Sequence, residues 1–360
     1  MRIAIAAGGT AGHVVPALAV ADALRERGAD LLFLGGERAE AELVPAAGYS
    51  FFPLRVAGID RKNPLQAARA VGLAARATAA ARQILQREQV DAVIGGGGYV
   101  AGPAGAAALA LRLPLVLTEA DSHLGIANRL LAPRARKVFL AFPIEGRDGP
   151  RYEVVGRPVP RETGQVDRAA ARARFGLAES GPCVLVFGGS LGARTINFAA
   201  IDAFGAAAPC SILHASGRRD YDELHVRLDA LGSPPHYHLE PFVQPFADAL
   251  AVADVAVARA GGSVFELAAV GIPSVLVPYP HATADHQMGN ARWMANGGAA
   301  VVVPDDELDG PRLAREVAAL LGSKQRLEAM AAAARRLARL DAADRIADEV
   351  LRLATPNGGS

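Results

Sequence analysis

Short apolar runs rich in β-branched residues alternate with longer segments of alanine, leucine and arginine along the chain. Such runs are typical of buried parallel strands, and the segments between them have helical character. In the first half, the predicted strands are 3–7, 31–34, 92–94, 115–117, 138–140 and 154–155. The pattern starts again after Gly181, with predicted strands at 183–187, 211–213, 237–239, 255–258, 274–277 and 300–303. The chain is therefore predicted to be an α/β protein with two parallel sheets.

A break in the pattern separates the two predicted sheets. The segment 156–165 holds two prolines and two glycines, which interrupt regular structure. We therefore predict an N-terminal domain over 1–158 and a C-terminal domain over 164–341, with a cleft between them. A last helix, at about 342–356, is expected to pack back onto the N-terminal domain. A chain of 360 residues is long enough for two such cores.

Three glycine-rich turns follow predicted strands, at 8–16, 95–103 and 188–193. At the start of a helix, such a turn exposes backbone N–H groups that favour an anion such as a diphosphate. The first turn departs from the Gly-x-Gly-x-x-Gly dinucleotide pattern, which disfavours a nicotinamide enzyme. Because the carboxyl ends of parallel strands share one edge of a sheet, we expect the turns to line a ligand cleft.

Individual residues of these turns suggest chemistry. Ser190 adds a hydroxyl to the third turn, where phosphate contact is favoured over a purely turn-forming role. Tyr99 either lines the cleft or plugs the domain surface. His13 suits a general base near pH 7, and the same position also suits a bond to phosphate or a helix cap.

A fourth polar cluster, at 258–266, follows a strand and leads into a helix. We expect its Glu266 to bind ribose hydroxyls; the alternative is that it only complements the helix dipole. The polar segment 281–287 follows the next strand and suits sugar hydroxyls. Its His281, Asp285 and His286 match no metal-binding spacing, so no metal site is predicted.

Composition and charge narrow the function classes. The chain is 51% hydrophobic and 21% charged, with a formal net charge of +1, which gives no reason to expect a nucleic-acid partner. Cys183 and Cys210 lie in or beside apolar runs, which favours a reducing compartment over a disulfide framework. Neither a signal peptide nor an apolar window of about 20 residues is evident. We therefore expect a cytoplasmic protein.

A basic and apolar stretch between positions 55 and 90 is the candidate membrane contact. It predicts peripheral binding to an anionic membrane surface, with an ordinary solvated helix face as the alternative. Its cationic residues are Arg55, Arg61, Lys62, Arg69, Arg76, Arg82 and Arg87, interleaved with Ile59, Leu65, Val71 and Leu73.

With its glycine turns in this order, the sequence resembles the MurG family of bacterial UDP-N-acetylglucosamine:lipid I N-acetylglucosaminyltransferases over nearly its whole length. Arg194, Asn197 and the segment 215–222 add to the similarity. The resemblance implies two Rossmann-like domains in the GT-B arrangement. It also implies an inverting transfer from UDP-N-acetylglucosamine to the N-acetylmuramyl 4-hydroxyl of lipid I, without a required metal or other cofactor. The expected location is the inner face of the cell membrane.

The same resemblance assigns site residues. Donor binding is assigned to Thr10, Ala11, Gly12, Ser190, Val243, Gly261, Gly262, Ser263, Glu266, His286 and Gln287, with a guanidinium from either Arg157 or Arg161. Acceptor binding is assigned to Gly97, Gly98, Tyr99 and Asn128. The catalytic candidates are His13, Glu119 and Asp121.

One motif departs from the family pattern. The chain has Thr118-Glu119-Ala120-Asp121 where the family usually has His-Glu-Gln-Asn. The departure leaves open a related UDP-sugar glycosyltransferase that acts on another lipid or on a natural product. A second alternative, of a different class, is a non-catalytic UDP-sugar-binding protein.

Overall fold

The computed structural model describes residues 1–56, 64–189, 192–282 and 285–355, with the backbone alone over 64–71. The chain forms two compact units. The N-terminal unit comprises Met1–Pro160 and the chain from Arg339 onward, and the C-terminal unit comprises Arg161–Ala338. The division after Pro160 falls inside the segment that the sequence predicts to be a linker.

In the N-terminal unit, the described residues form one parallel sheet of seven strands in the order β3-β2-β1-β4-β5-β6-β7. The strands are β1 (Arg2–Ala6), β2 (Asp30–Gly35), β3 (Ser50–Pro53), β4 (Ala92–Gly95), β5 (Leu115–Glu119), β6 (Lys137–Leu140) and β7 (Tyr152–Val154). The first five helices are α1 (Ala11–Glu26), α2 (Ala39–Ala46), α3 (Pro64–Arg87), α4 (Gly98–Ala110) and α5 (Ile126–Leu131).

The described part of the C-terminal unit holds a parallel sheet of six strands in the order β10-β9-β8-β11-β12-β13. These strands are β8 (Cys183–Phe187), β9 (Ser211–Ala215), β10 (Tyr237–Glu240), β11 (Val255–Ala258), β12 (Ser274–Leu276) and β13 (Ala300–Val302). Its helices are α6 (Arg168–Arg174), α7 (Arg194–Phe204), α8 (Tyr221–Ala230), α9 (Phe246–Val252), α10 (Val264–Val270), α11 (His286–Asn296), α12 (Gly310–Leu321) and α13 (Lys324–Leu337).

The last helix, α14 (Ala342–Ala354), belongs to the N-terminal unit. Its Ile346 and Val350 are buried in a core cluster with Ile3 and Ile5 of β1. Their spacing of four residues puts both on one helix face, which explains how an otherwise polar helix can pack against the sheet. Alternate residues of β1 enter a second cluster on the opposite face of the sheet. Because both faces are covered, the strand reads as a continuous apolar run.

Two elements differ from the sequence prediction. Strand β3 was missed, because it is a four-residue edge strand that pairs with β2 and carries half-buried or exposed side chains. Helix α1 begins at Ala11, inside the segment 8–16 that the sequence predicts to be a turn, and it includes Pro16. Among the helices of the described residues, none is long and apolar enough to span a membrane.

The strand order places a topological switch point in each unit. In the N-terminal unit the order reverses between β1 and β4, and in the C-terminal unit it reverses between β8 and β11. Open parallel sheets bind ligands in the crevice at such points. The three glycine turns follow β1, β4 and β8, and the fourth polar cluster follows β11, so all four flank a switch point.

Candidate functional site

The glycine turns that follow β1 and β4 touch each other. Gly98 has a φ of +74°, and a Cβ added to it would lie 2.0 Å from the carbonyl oxygen of Gly8. Any side chain at Gly98 would therefore force the two turns apart. Gly98, which the resemblance assigns to the acceptor, is thus the residue that allows the two backbones to meet.

A buried carboxylate holds the first turn from inside the N-terminal unit. Glu40 is fully buried and accepts hydrogen bonds from the amides of Gly9 and Gly36, both at 2.8 Å. The sequence prediction that the amides of the first turn are free for an anion is therefore wrong for Gly9. Sequence reasoning also missed Glu40, because its partners lie in other turns and nothing in its local pattern distinguishes it from Glu42.

Tyr99 covers the same glycines. Its hydroxyl lies 3.4 Å from a Glu40 carboxylate oxygen, and its ring lies within 3.3 Å of a Cβ added to Gly9. The Arg38 guanidinium lies 5.5 Å from the ring centroid. These contacts favour the second of the two alternatives for Tyr99, a side chain that packs over the turns.

His13 lies in the first turn of α1. Its Nδ1 is 3.4 Å from the Thr10 hydroxyl, and its ring packs so closely on Gly97 that a Cβ there would lie 2.6 Å from His13 Cδ2. The side chain is half-buried. The structure thus brings His13, the first turn and the second turn together.

Pro16 explains the position of Arg157. Proline has no N–H, so Pro16 cannot donate to the carbonyl four residues before it, which is that of Gly12. The buried Arg157 side chain donates to this carbonyl through Nη2. Arg161, the other candidate guanidinium, is exposed and belongs to the C-terminal unit. Arg157 is therefore the arginine beside the first glycine turn.

Glu119 is a buried carboxylate with several protein donors. It accepts from the amide of Asp121 at 3.2 Å, the amide of Gly125 at 2.9 Å and the Asn128 amide group at 2.9 Å. Burial raises the pKa of Glu119, and these three hydrogen bonds oppose the rise. Its bonds hold the loop after β5, a geometry that suits a positioning group better than a proton acceptor.

Asn128 is buried beside this carboxylate. Its amide nitrogen donates to the Thr118 carbonyl at 3.0 Å as well as to Glu119. Both amide hydrogens are thus used inside the protein, so a role for them in acceptor binding is not supported. Asp121, by contrast, is half-exposed.

A small cavity joins several of these groups within the N-terminal unit. Its polar lining comes from His13, Thr118, Glu119 and Arg157, with Ala120 beside them. The motif that departs from the family pattern therefore lies next to the catalytic candidate His13. Ala120 has no polar side-chain group, so the polar groups of this cavity come from its neighbours.

The third glycine turn follows β8 in the C-terminal unit. Ser190, its predicted phosphate ligand, lies outside the described residues. Gly192 has a φ of +75°, and a Cβ added to it would lie 2.2 Å from the Ser216 carbonyl oxygen. This turn therefore rests directly on the backbone that follows β9.

The loop after β11 carries Gly261, Gly262 and Ser263, followed by α10. Glu266 lies half-buried in the first turn of α10, where a carboxylate also complements the helix dipole. The start of the loop is held from α11, because the buried Asn290 donates to the Ala260 carbonyl at 2.9 Å.

Arg259, at the end of β11, is a second residue that sequence reasoning missed. Its buried guanidinium donates to the Val277 and Pro278 carbonyls at 3.1 and 3.3 Å and pairs with Asp305. It fastens the loop after β12 to the loop after β11. Its place in the fourth polar cluster was the signal available in the sequence.

The remaining predicted donor residues also lie in the C-terminal unit. Val243 is buried in the loop after β10, and His286 begins α11. Gln287 accepts from the Tyr279 amide at 2.9 Å through its side-chain oxygen, so this oxygen already holds the loop after β12. Within the described ranges, no three His, Cys, Asp or Glu side chains cluster as metal ligands.

Family comparisons define the class of protein. Residues 3–140 match the glycosyltransferase family 28 N-terminal domain, and residues 183–346 match its C-terminal domain. Together with the two doubly wound sheets, these matches define a GT-B glycosyltransferase, which confirms the predicted fold class.

Individual relatives narrow the class to one family. A Moorella thermoacetica protein named UDP-N-acetylglucosamine--N-acetylmuramyl-(pentapeptide) pyrophosphoryl-undecaprenol N-acetylglucosamine transferase is 42% identical, over 98% of this chain and 99% of the relative. A Methylococcus capsulatus protein of the same name is 41% identical, over 96% and 97%. The crystal structure of Acinetobacter baumannii MurG superposes with a TM-score of 0.74 at 29% identity, over 98% of this chain and 99% of that one. The chain belongs to this MurG family of N-acetylglucosamine transferases.

Proposed function

We propose that this protein transfers N-acetylglucosamine from UDP-N-acetylglucosamine to the N-acetylmuramyl 4-hydroxyl of lipid I. The product is lipid II, so the enzyme acts in peptidoglycan synthesis and thereby in cell shape and division. The observation that carries the proposal is the match, over 98% of the chain, to a transferase whose name states this donor and acceptor. Neither a different acceptor nor a non-catalytic binding role is favoured by relatives this similar.

The C-terminal unit is proposed to bind the donor. The turn after β8 and the loop after β11 flank the switch point of this sheet, and glycine-rich turns at such a point suit a diphosphate. Glu266 binds the ribose, the backbone of Val243 meets uracil, and His286 and Gln287 approach the sugar. Fixed N–H groups stabilise the negative charge that develops on UDP as it leaves, so the reaction requires no metal or other cofactor.

The N-terminal unit is proposed to bind the acceptor and to remove its proton. His13 is the general base, because its imidazole lines the cavity and because imidazole is the side chain most often used for proton transfer in enzymes. Glu119 has a positioning role, since its oxygens already hold the loop after β5. Arg157 keeps the start of α1 in place through the Gly12 carbonyl.

The direct test is to incubate the purified protein with radiolabelled UDP-N-acetylglucosamine and lipid I, with and without EDTA. We expect labelled lipid II in both samples. Donor binding without transfer to lipid I, or transfer only to another lipid, would contradict the proposed function. A product that forms only without EDTA would contradict the metal-independent mechanism.

Replacing Glu266 by alanine is expected to weaken UDP-N-acetylglucosamine binding by about 1–3 kcal/mol, because the ribose hydroxyls lose a hydrogen-bond partner. Isothermal titration calorimetry measures the change. Asp222→Ala is the matched control, since Asp222 is an exposed acidic residue in the first turn of α8 of the same unit. Like Glu266→Ala, the variant Asp222→Ala removes a carboxylate that complements a helix dipole. Equal donor affinity in the two variants would assign Glu266 the helix-dipole role alone.

A peripheral location on the inner face of the cell membrane is also part of the proposal. Arg76, Arg82 and Arg87 of α3 are exposed, whereas Ala77, Ala81 and Leu85 of the same helix are buried. The helix thus presents cations on the face opposite its packing face. Of the other predicted contacts, Ile59, Arg61 and Lys62 lie outside the described residues, as do the side chains of Leu65, Arg69 and Val71.

Charge reversal tests this surface. The double variant with Arg76→Glu and Arg82→Glu is expected to bind phosphatidylglycerol vesicles at least about tenfold more weakly, since each arginine near an anionic surface contributes on the order of 1 kcal/mol. The control is the double variant with Arg315→Glu and Arg326→Glu, which reverses the charge at two exposed positions of the C-terminal unit. Cosedimentation measures binding, with phosphatidylcholine vesicles as the neutral reference. An equal loss in both double variants would mean that net charge, and not this face of α3, governs the interaction.

A further inference from the structure

Four buried polar side chains of the C-terminal unit are joined by hydrogen bonds into a series, which we call the polar chain. The Tyr237 hydroxyl lies 2.8 Å from His214 Nδ1, His214 Nε2 lies 3.0 Å from the Asn197 side-chain oxygen, and the Asn197 amide nitrogen lies 2.9 Å from an Asp220 carboxylate oxygen. His214 and Asn197 are fully buried, and Asp220 and Tyr237 are nearly so. These residues belong to four different segments, so the chain ties together β10, β9, α7 and the start of α8.

The hydrogen bonds of this chain have one consistent direction. The Asn197 amide nitrogen donates to Asp220 and to the Ser216 carbonyl, both of which are acceptors. The Asn197 oxygen therefore faces His214 Nε2, which must carry the proton. His214 Nδ1 then accepts from the Tyr237 hydroxyl. Every donor points toward Asp220, an arrangement in which successive hydrogen bonds polarise one another favourably.

The side chains of the polar chain do not change protonation state near neutral pH. Burial lowers the pKa of His214 to about 3, so its imidazole stays neutral. The hydrogen bond from Arg219 lowers the pKa of Asp220, which stays ionised. Arg219 contacts both Asp220 oxygens at 3.0 Å, and Arg194 contacts one at 3.3 Å. The chain therefore ends on an anchored carboxylate.

Asn197 connects this chain to the third glycine turn in two ways. Its side chain donates to the Ser216 carbonyl at 2.9 Å, and Gly192 packs directly on that carbonyl oxygen. Its backbone N–H donates to the Ala193 carbonyl at 2.8 Å. A shift of the Asn197 side chain would therefore move the surface on which the turn rests.

We propose that Tyr237, His214 and Asn197 are positioning residues for Gly192 and Ala193, the described end of the third glycine turn, and that they thereby support binding of the diphosphate of the nucleotide-sugar donor. The inference rests on the proposed function, because it takes a UDP-sugar as the donor. The three side chains do not touch the donor. They act through the Ser216 carbonyl, on whose oxygen Gly192 packs.

Asn197→Asp tests this inference with an almost unchanged side-chain shape. The new carboxylate oxygen takes the place of the amide nitrogen that donates to the Ser216 carbonyl and to the Asp220 carboxylate. Two hydrogen bonds are therefore replaced by repulsion between oxygen atoms. We expect the dissociation constant for UDP to rise at least about tenfold, in line with the cost of misplacing a binding group. Calorimetry measures UDP binding at a temperature at which circular dichroism shows the variant to be folded.

Two further variants separate positioning from general stability. Met330 lies in α13, in the core of the same unit, and is not one of the hydrogen-bonded polar side chains. Met330→Ala opens a cavity there and is expected to lower the melting temperature without changing UDP affinity. His214→Gln keeps a donor for Asn197 and is expected to bind UDP more tightly than His214→Leu, even if Asn197→Asp does not fold.

The outcomes are distinct. A folded Asn197→Asp variant that binds UDP as tightly as the wild type would overturn the inference. Equal UDP affinity in His214→Gln and His214→Leu would do the same, as would a loss of affinity in Met330→Ala that matches its loss of stability. A wild-type protein that binds UDP with the expected pattern of variants, but transfers no sugar to lipid I, would contradict the proposed function and support the positioning role.

Discussion

His13→Ala is expected to lower turnover by about 10²–10⁴-fold, the usual contribution of a general base, while UDP affinity stays close to that of the wild type. The reason is the placement of the imidazole. It packs on Gly97, lines the cavity with Thr118 and Glu119, and belongs to the N-terminal unit, whereas the proposed diphosphate site is in the C-terminal unit. Turnover at saturating donor and calorimetric UDP affinity are both measured.

His13→Gln is the matched variant for this prediction. Glutamine can keep a hydrogen bond to a phosphate or to a helix terminus, but it cannot accept a proton at neutral pH. A general base therefore predicts that the glutamine variant is as slow as the alanine variant. Weaker UDP binding, with a rate that recovers at saturating donor, would instead identify His13 as a phosphate ligand. If neither quantity changes, His13 is only a helix cap, and Asp121 is the next candidate base.

Gly98→Ala is expected to reduce transfer at least about 100-fold, because displacing catalytic groups by about 1 Å costs that much. The added Cβ would lie 2.0 Å from the Gly8 carbonyl oxygen, so the turns after β1 and β4 cannot keep their contact. His13 would lose its place against Gly97 as a result. The measurement is the rate of lipid II formation at saturating concentrations of both substrates.

Gly149→Ala is the control for backbone strain. Gly149 has a φ of +83°, similar to that of Gly98, but nothing lies within 4 Å of an added Cβ. Its alanine variant should lose only about 1–2 kcal/mol of stability, the cost of a left-handed conformation with a side chain. Comparable rates in the two variants would show that the contact between the turns is not needed for transfer.

The alternation of apolar runs and helical segments was sufficient to predict both sheets. A buried parallel strand needs side chains that are apolar on both faces, and such a run is visible without any knowledge of its neighbours. Strand β3 shows the limit of this signal, since a four-residue edge strand with half-buried side chains leaves no such run. The start of α1 shows another limit, because Pro16 reads as a helix boundary until Arg157 supplies the missing donor to the Gly12 carbonyl.

Residues that act through distant partners were not predictable in this way. Glu40 looks like an ordinary acidic residue of α2, and it becomes the anchor of the first glycine turn only through the amides of Gly9 and Gly36. His214 suggested no function, yet it is the central member of the buried chain that reaches the third turn. Glu119 was one of three catalytic candidates, and only the folded loop after β5 shows that its oxygens already accept hydrogen bonds inside the protein.

The sequence by itself determined the two parallel α/β sheets, the glycine turns at the ends of their strands and the resemblance to one family of transferases. These features depend on residues close together in the chain, where apolar periodicity and glycine spacing are direct consequences of strand burial and turn geometry. Only the tertiary structure decided which polar groups are already used inside the protein. A hydrogen bond such as that between Glu40 and Gly9 joins positions that become neighbours only when the sheet assembles, because strand order is set by packing and not by local pattern.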